Sequence, residues 1–114
     1  MPKSFTKAKK MDVPIGQGMV MPVEFWETKT SGIVVTERPD SLSGYSVTHQ
    51  SSGKRIFPHY ITKPQATKLA NCLGQLQIDW TMTYNQLFDM YPYEDIKAIV
   101  ESAAQLVGIE VGHA

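Results

Sequence analysis

The chain has a single cysteine, Cys72, among its 114 residues. That excludes an intramolecular disulfide, and with it the stapled frameworks of small secreted folds. Cys72 falls within an expected helix with no base partner nearby, so it reads as a small buried apolar residue and not as a reactive thiol. No apolar run approaches the roughly 20 residues that a membrane-spanning helix needs. Residues 1–10 are basic, but no continuous apolar segment follows them, so no secretory signal is expected. A cytoplasmic protein without a membrane partner is the expectation. The three histidines, at positions 49, 59 and 113, lack any Cys-x-x-Cys or His-x-x-x-His spacing, so no metal centre is expected. Catalytic signatures are missing as well. None of Ser41, Ser43, Ser46, Ser51 and Ser52 sits in a Gly-x-Ser-x-Gly elbow. Ser51-Ser52-Gly53-Lys54 lacks the upstream glycine of a phosphate loop. Glu94 and Asp95 are sequence neighbours, which splay apart on a helix and make no acid–base pair. These absences predict a protein that is not an enzyme and takes no cofactor.

What is present suits one globular domain, with 42% apolar and 19% charged residues. The formal net charge is zero, but the charges are segregated. Residues 1–78 hold ten Lys or Arg against five Asp or Glu, a net of +5, and residues 79–114 hold one Lys against six acids, a net of −5. Such a division creates a field with two poles.

Residues 1–12, with Lys3, Lys7, Lys9 and Lys10, read as a flexible basic arm, and residues 13–114 as a single α+β domain. Residues 13–23 are apolar but broken by Pro14, Gly16, Gly18 and Pro22, which predicts an extended strap or edge strand lying across the core. A small antiparallel sheet of about three strands is expected over residues 32–61. Residues 32–37 are rich in β-branched side chains and read as the first clear strand. In residues 45–50 Tyr45, Val47 and His49 alternate with Ser46, Thr48 and Gln50. Ser51-Ser52-Gly53 then predicts a hairpin turn with positive φ at Gly53, and residues 54–61 the return strand, with an edge, bulge or early stop at Pro58.

Two or three C-terminal helices should pack on that sheet. Thr62 with Gln65, and Thr83 with Gln86, have the reciprocal capping spacing that opens a helix. The first helix should run to Gly74 with Ala66, Leu69, Ala70 and Leu73 as its apolar stripe. The second ends at Pro92. The third spans residues 93–107, with Ile96, Ile99, Val100, Ala103, Leu106 and Val107 on one face and Gly108 after it. The predicted core contains Trp26, Ile33, Val35, Val47, Ile56, Leu69, Leu73, Trp80, Leu87, Phe88, Ile96, Ile99, Val100 and Leu106.

The candidate binding surface is the hairpin–helix block. Arg38, Lys54, Arg55, Lys63 and Lys68 are interleaved with Tyr45, Phe57, His59 and Tyr60. Cations for phosphates, with His49, Gln50 and His59 as polar contacts, fit a β-ribbon that reads DNA or RNA. Three uses compete for this face: nucleic-acid binding, docking on a host protein, and a solvated face whose cations pair with the acidic helices. The second pole, with Asp89, Glu94, Asp95 and Glu101, offers a surface for a protein partner as an inhibitor or adaptor.

The run Tyr-Ser-Val-Thr-His-Gln-Ser-Ser-Gly, followed by a basic segment, Thr-Lys-Pro-Gln-Ala-Thr-Lys-Leu-Ala and Asp79-Trp80-Thr81, resembles small uncharacterised bacterial and phage proteins. The likeness spans residues 44–81, and its motifs are short. It implies a phage or mobile-element context but carries no function with it. The strand–strand–strand–helix order is also similar to the arm-binding domains of phage-type integrases, a topological likeness alone.

Overall fold

The computed structural model describes residues 9–40 and 42–109. The fold is α+β: four antiparallel strands in the order β1-β2-β3-β4, then three helices. The strands are β1 (Lys9–Gly16), β2 (Met19–Glu27), β3 (Ile33–Glu37) and β4 (Tyr45–His49), and the helices α1 (Lys63–Leu73), α2 (Tyr84–Met90) and α3 (Tyr93–Leu106). The sheet therefore has four strands over residues 9–49, where three were expected over 32–61. Of the expected basic arm, residues 9–12 belong to β1, with Lys9 opposite Phe25 and Lys10 opposite Glu24. Residues 1–8 lie outside the described residues.

Two faces of the sheet are filled by different chemistry. Trp26, Val35 and Val47 are cross-strand neighbours and, with Ile33, face the helices. Phe25, Thr36 and Ser46 point the other way, as do Val34 and Thr48. Val13, Val23 and Val34 are buried on that second face, apart from the main core. The sheet reaches this state by curling. A Cβ added to Gly53 would lie 2.6 Å from the Asp12 carbonyl oxygen and 3.4 Å from the Val13 Cα. The far edge of the sheet therefore comes back onto the turn that follows β4. Gly53 also takes φ +74, a left-handed conformation that penalises any Cβ.

The β1–β2 segment is a long hairpin and does not strap the main core. Its turn has positive φ at three successive residues, Gly16, Gln17 and Gly18. Val13 and Val23 are buried, whereas Ile15, Met19, Val20 and Met21 are exposed. The prolines explain how the ladder tolerates them. Pro14 lies on the edge strand, and β2 pairs with β3 only through residues 25–27, so Pro22 owes no donor to a second neighbour.

Residues 54–61 do not form the expected return strand. They touch β4 only through isolated bridges, Thr48 with Arg55 and Tyr45 with Ile61. Pro58 supplies no N–H, and the chain leaves the ladder around it. Phe57, expected on the basic surface, instead turns inward and is fully buried, worth about 3 kcal/mol of apolar transfer.

Both capping boxes form: Thr62 with Gln65 opens α1 and Thr83 with Gln86 opens α2. Gly74 ends α1 with ordinary right-handed φ of −70, so its lack of a side chain serves packing: a Cβ there would strike the Thr30 hydroxyl. That hydroxyl donates to the Ala70 carbonyl at 2.6 Å. Trp80 plugs the core and donates its indole N–H to the Leu73 carbonyl at 3.2 Å. Gly108 takes φ +82 and the following Ile109 N–H bonds back to Ala104, closing α3. Of the predicted core, Trp26, Ile56 and Phe88 are half-buried and pack against it, and Ile99 is half-buried as well. Leu106 is 82% exposed, because the buried stripe of Ile96, Val100, Ala103 and Ala104 continues at Val107 and leaves Leu106 off that face. No helix among the described residues is long and apolar enough to cross a membrane.

Candidate functional site: a cationic ridge between two clefts

Residues 54–58 form a ridge with a cleft on each side. The first cleft, about 370 Å³, lies between the ridge and helices α2 and α3. Its walls carry Trp80, Tyr84, Phe88 and Tyr93, and Lys54, Arg55, Lys97 and Glu101 stand around it. Tyr84 and Phe88 are one helical turn apart on α2 and meet edge to face at 4.8 Å, while Phe88 and Tyr93 are 5.6 Å apart across the Pro92 bend. The second cleft, about 340 Å³, opens on the outer face of the curled sheet, bounded by Val13, Glu37, Lys54, Arg55 and Tyr60.

The floor of the second cleft is a closed set of hydroxyls. Thr36 lies 2.9 Å from Ser46 and 2.8 Å from Thr48, and Ser46 lies 3.0 Å from Thr48. All three residues are buried. Three O–H protons fill three contacts, so each hydroxyl donates once within the ring and the set retains only lone pairs.

The cations rest on aromatic rings. Lys54 Nζ is 4.0 Å from the Tyr84 ring centroid, Arg55 Cζ 4.8 Å and Arg38 Cζ 4.4 Å from that of Tyr60, and Lys63 Nζ 3.8 Å from that of Trp26. All four cations of these contacts belong to the basic block. Ion pairs among the described residues are Lys9 with Glu27 and Arg38 with Asp40. The basic block therefore does not pair with the acidic helices, as a solvated, neutralised face would. A ring orders a cation without cancelling its charge. Arg55 is further held by donating to the Pro58 carbonyl at 3.1 Å, and its remaining N–H groups stay available.

His49 is structural. It is 2% exposed and both ring nitrogens are engaged, Nε2 with the Met82 carbonyl and Nδ1 with the Ser52 hydroxyl, each at 2.8 Å. A carbonyl only accepts, so Nε2 carries a proton. Ser52 Oγ in turn accepts from the Lys54 N–H at 3.1 Å. His49 thus ties the ridge to the loop that leads into α2, and it sets the distance between the walls of the first cleft. Burial removes it from the contact role expected of it.

The other expected contact residues are dispersed. Gln50 is exposed beside the turn, and its N–H bonds to Gly32. His59 is exposed, packed against Phe57 at 5.4 Å. Lys68 is exposed on α1. Asp89, Glu94 and Asp95 are exposed along α2 and the first turn of α3, while Glu101 is half-buried at the first cleft. Among the described residues no three His, Cys, Asp or Glu side chains gather where they could hold a metal ion. Tyr84, Tyr93 and Lys97 belong to the site but were not among the sequence candidates. The signal was the i, i+4 spacing of Tyr84 and Phe88, an aromatic pair on a helix too short to need both for its core.

Asp79 begins the loop before α2, where Thr81 donates to it from its hydroxyl and, at 3.0 Å, from its N–H. These bonds favour the carboxylate and hold Asp79 below the usual carboxylate value of 3.8. No family model, curated protein or solved structure matches this chain.

Proposed function

We propose that this chain is a non-enzymatic binder of single-stranded nucleic acid, which it holds in the aromatic cleft beside the ridge. The observation that carries this reading is the placement of the cations on rings. Lys54 and Arg55 are pre-ordered, form no ion pair among the described residues, and stand at the edge of a cleft walled by Tyr84, Phe88 and Tyr93. Stacking surfaces combined with backbone-facing cations form the device by which proteins hold unpaired bases. A β-ribbon inserted into a duplex groove has less support, because residues 54–61 are no strand and His49 is buried. The reading as a protein-docking module through Asp89, Glu94, Asp95 and Glu101 gains no comparable cleft, since Glu101 alone of the four lines one.

The test is fluorescence anisotropy with a labelled single-stranded oligonucleotide and with the same sequence as a duplex. The single strand should bind more tightly. Lys54→Ala with Arg55→Ala should lower affinity and flatten the slope of log K against log salt by about 1.4, the share of two phosphate contacts on a single strand. Equal affinity for strand and duplex, or an unchanged salt slope in the double variant, would refute the proposal.

A further inference from the structure

The aromatic cleft carries one acid among its cations. Glu101 lines it together with Tyr93 and Lys97. The three follow one another at intervals of four residues along α3, which sets them on one stripe of that helix. Glu101 is half-buried and forms no ion pair among the described residues, even with Lys97 one turn away. A carboxylate there does not suit a site for phosphates alone, because it repels them. It only accepts hydrogen bonds, through two oxygens. Its place is explained when the group it faces is a donor.

Unpaired bases are read by stacking together with hydrogen bonds to the Watson–Crick edge. On that edge guanine alone among the common bases offers two adjacent N–H donors, at N1 and N2, which match the two oxygens of a carboxylate. Adenine and cytosine set one amino group beside a ring-nitrogen acceptor, and uracil flanks its N–H with two carbonyls. Each of these turns a lone pair toward the second carboxylate oxygen. Resting on the single-strand reading above, we infer that the aromatic cleft selects guanine and that Glu101 determines the choice. The base stacks on the rings of the cleft and directs N1–H and N2–H to Glu101. Lys54 and Arg55 hold the adjoining phosphate at the cleft's edge.

The test uses uridine heptamers whose central residue is guanosine, inosine or adenosine, titrated calorimetrically. Inosine keeps N1–H but lacks the N2 amino group, and adenosine is a purine of similar stacking surface with the wrong edge. The guanosine strand should bind at least about fivefold more tightly than either, the lower end for a bidentate base contact. Glu101→Gln replaces one acceptor by a donor and should bring the guanosine-to-inosine ratio close to one. A surface carboxylate with only an electrostatic effect would change all three affinities together and leave that ratio as it was. The guanosine–inosine difference is read on the intact protein, so it decides the matter even if the variant folds poorly. Equal binding of the three strands, or a ratio that Glu101→Gln does not alter, overturns guanine selection and leaves the single-strand reading in place. If none of the strands binds, both readings fall.

Discussion

Replacing Thr48 by valine removes one hydroxyl from the ring of three while keeping the shape of the side chain. In the intact ring each contact holds one proton, at 2.8, 2.9 and 3.0 Å. After Thr48→Val, Thr36 and Ser46 share a single contact but still carry two protons, so one donor is left without a partner in a buried site. An unsatisfied buried polar group costs about 1–3 kcal/mol. For a domain of this size that corresponds to a fall in Tm of roughly 5–15 °C. Removing all three hydroxyls together, as Thr36→Val, Ser46→Ala and Thr48→Val, leaves nothing unpaired, and the triple variant should lie within about 1 kcal/mol of the parent. The single substitution should thus be worse than the triple, a strongly non-additive result. Urea unfolding followed by the fluorescence of Trp26 and Trp80 measures both. If Thr48→Val is neutral within about 0.5 kcal/mol, or if the triple variant equals the sum of the three single ones, the ring is not the closed network described.

Gly53→Ala should destabilise by about 1–2 kcal/mol from its left-handed φ alone. The clash with the Asp12 carbonyl adds to this, and loss of amide-exchange protection should appear first in β1. Protection loss in β3 and β4 instead would contradict the curled arrangement. Asp79 supplies a pH dependence with a definite sign. Its folded-state value lies below 3.8 because of the bonds from Thr81, so its contribution is present above 3.8 and lost as pH falls through the lower folded value. Asp79→Asn should therefore flatten the decline of stability with pH below 3.8; an unchanged acid limb in urea titrations would reject this.

Local chemistry was the part of the fold legible in the sequence. The capping boxes at Thr62 and Thr83, the β-branched run of β3, the alternation of β4 and the positive φ at Gly53 each depend on a few neighbouring residues, and each appears as read. What escaped depends on contacts distant in the chain. The curl that brings Asp12 against Gly53 joins residues 41 positions apart, and no local pattern announces it. The ridge escaped for a smaller reason: Pro58 was recognised as a break, but its effect, to lift the whole 54–61 segment off the ladder and turn Phe57 inward, depends on the space the core offers. Of the site, Lys54, Arg55 and Arg38 were legible as charge, but their seats on Tyr84 and Tyr60 were not. His49 was misplaced because alternation along β4 tells that it shares a face with Val47, and not that this face is fully enclosed.

Residues 54–61 also determine how the sheet ends. Their bridges to Thr48 and Tyr45, made by backbone bonds at Val47, His49 and Tyr45, occupy the outer side of β4, so no incoming strand can pair there. The opposite border, β1, meets the turn after β4 around Asp12 and Val13, and it carries Lys9, Lys10, Asp12 and Pro14. Charged side chains and a missing N–H are the features that discourage edge-to-edge pairing between copies. The ridge is thus also a guard rail. The sheet is shielded at one border and repellent at the other, which resists templated aggregation even though the tip of its longest hairpin is apolar and exposed.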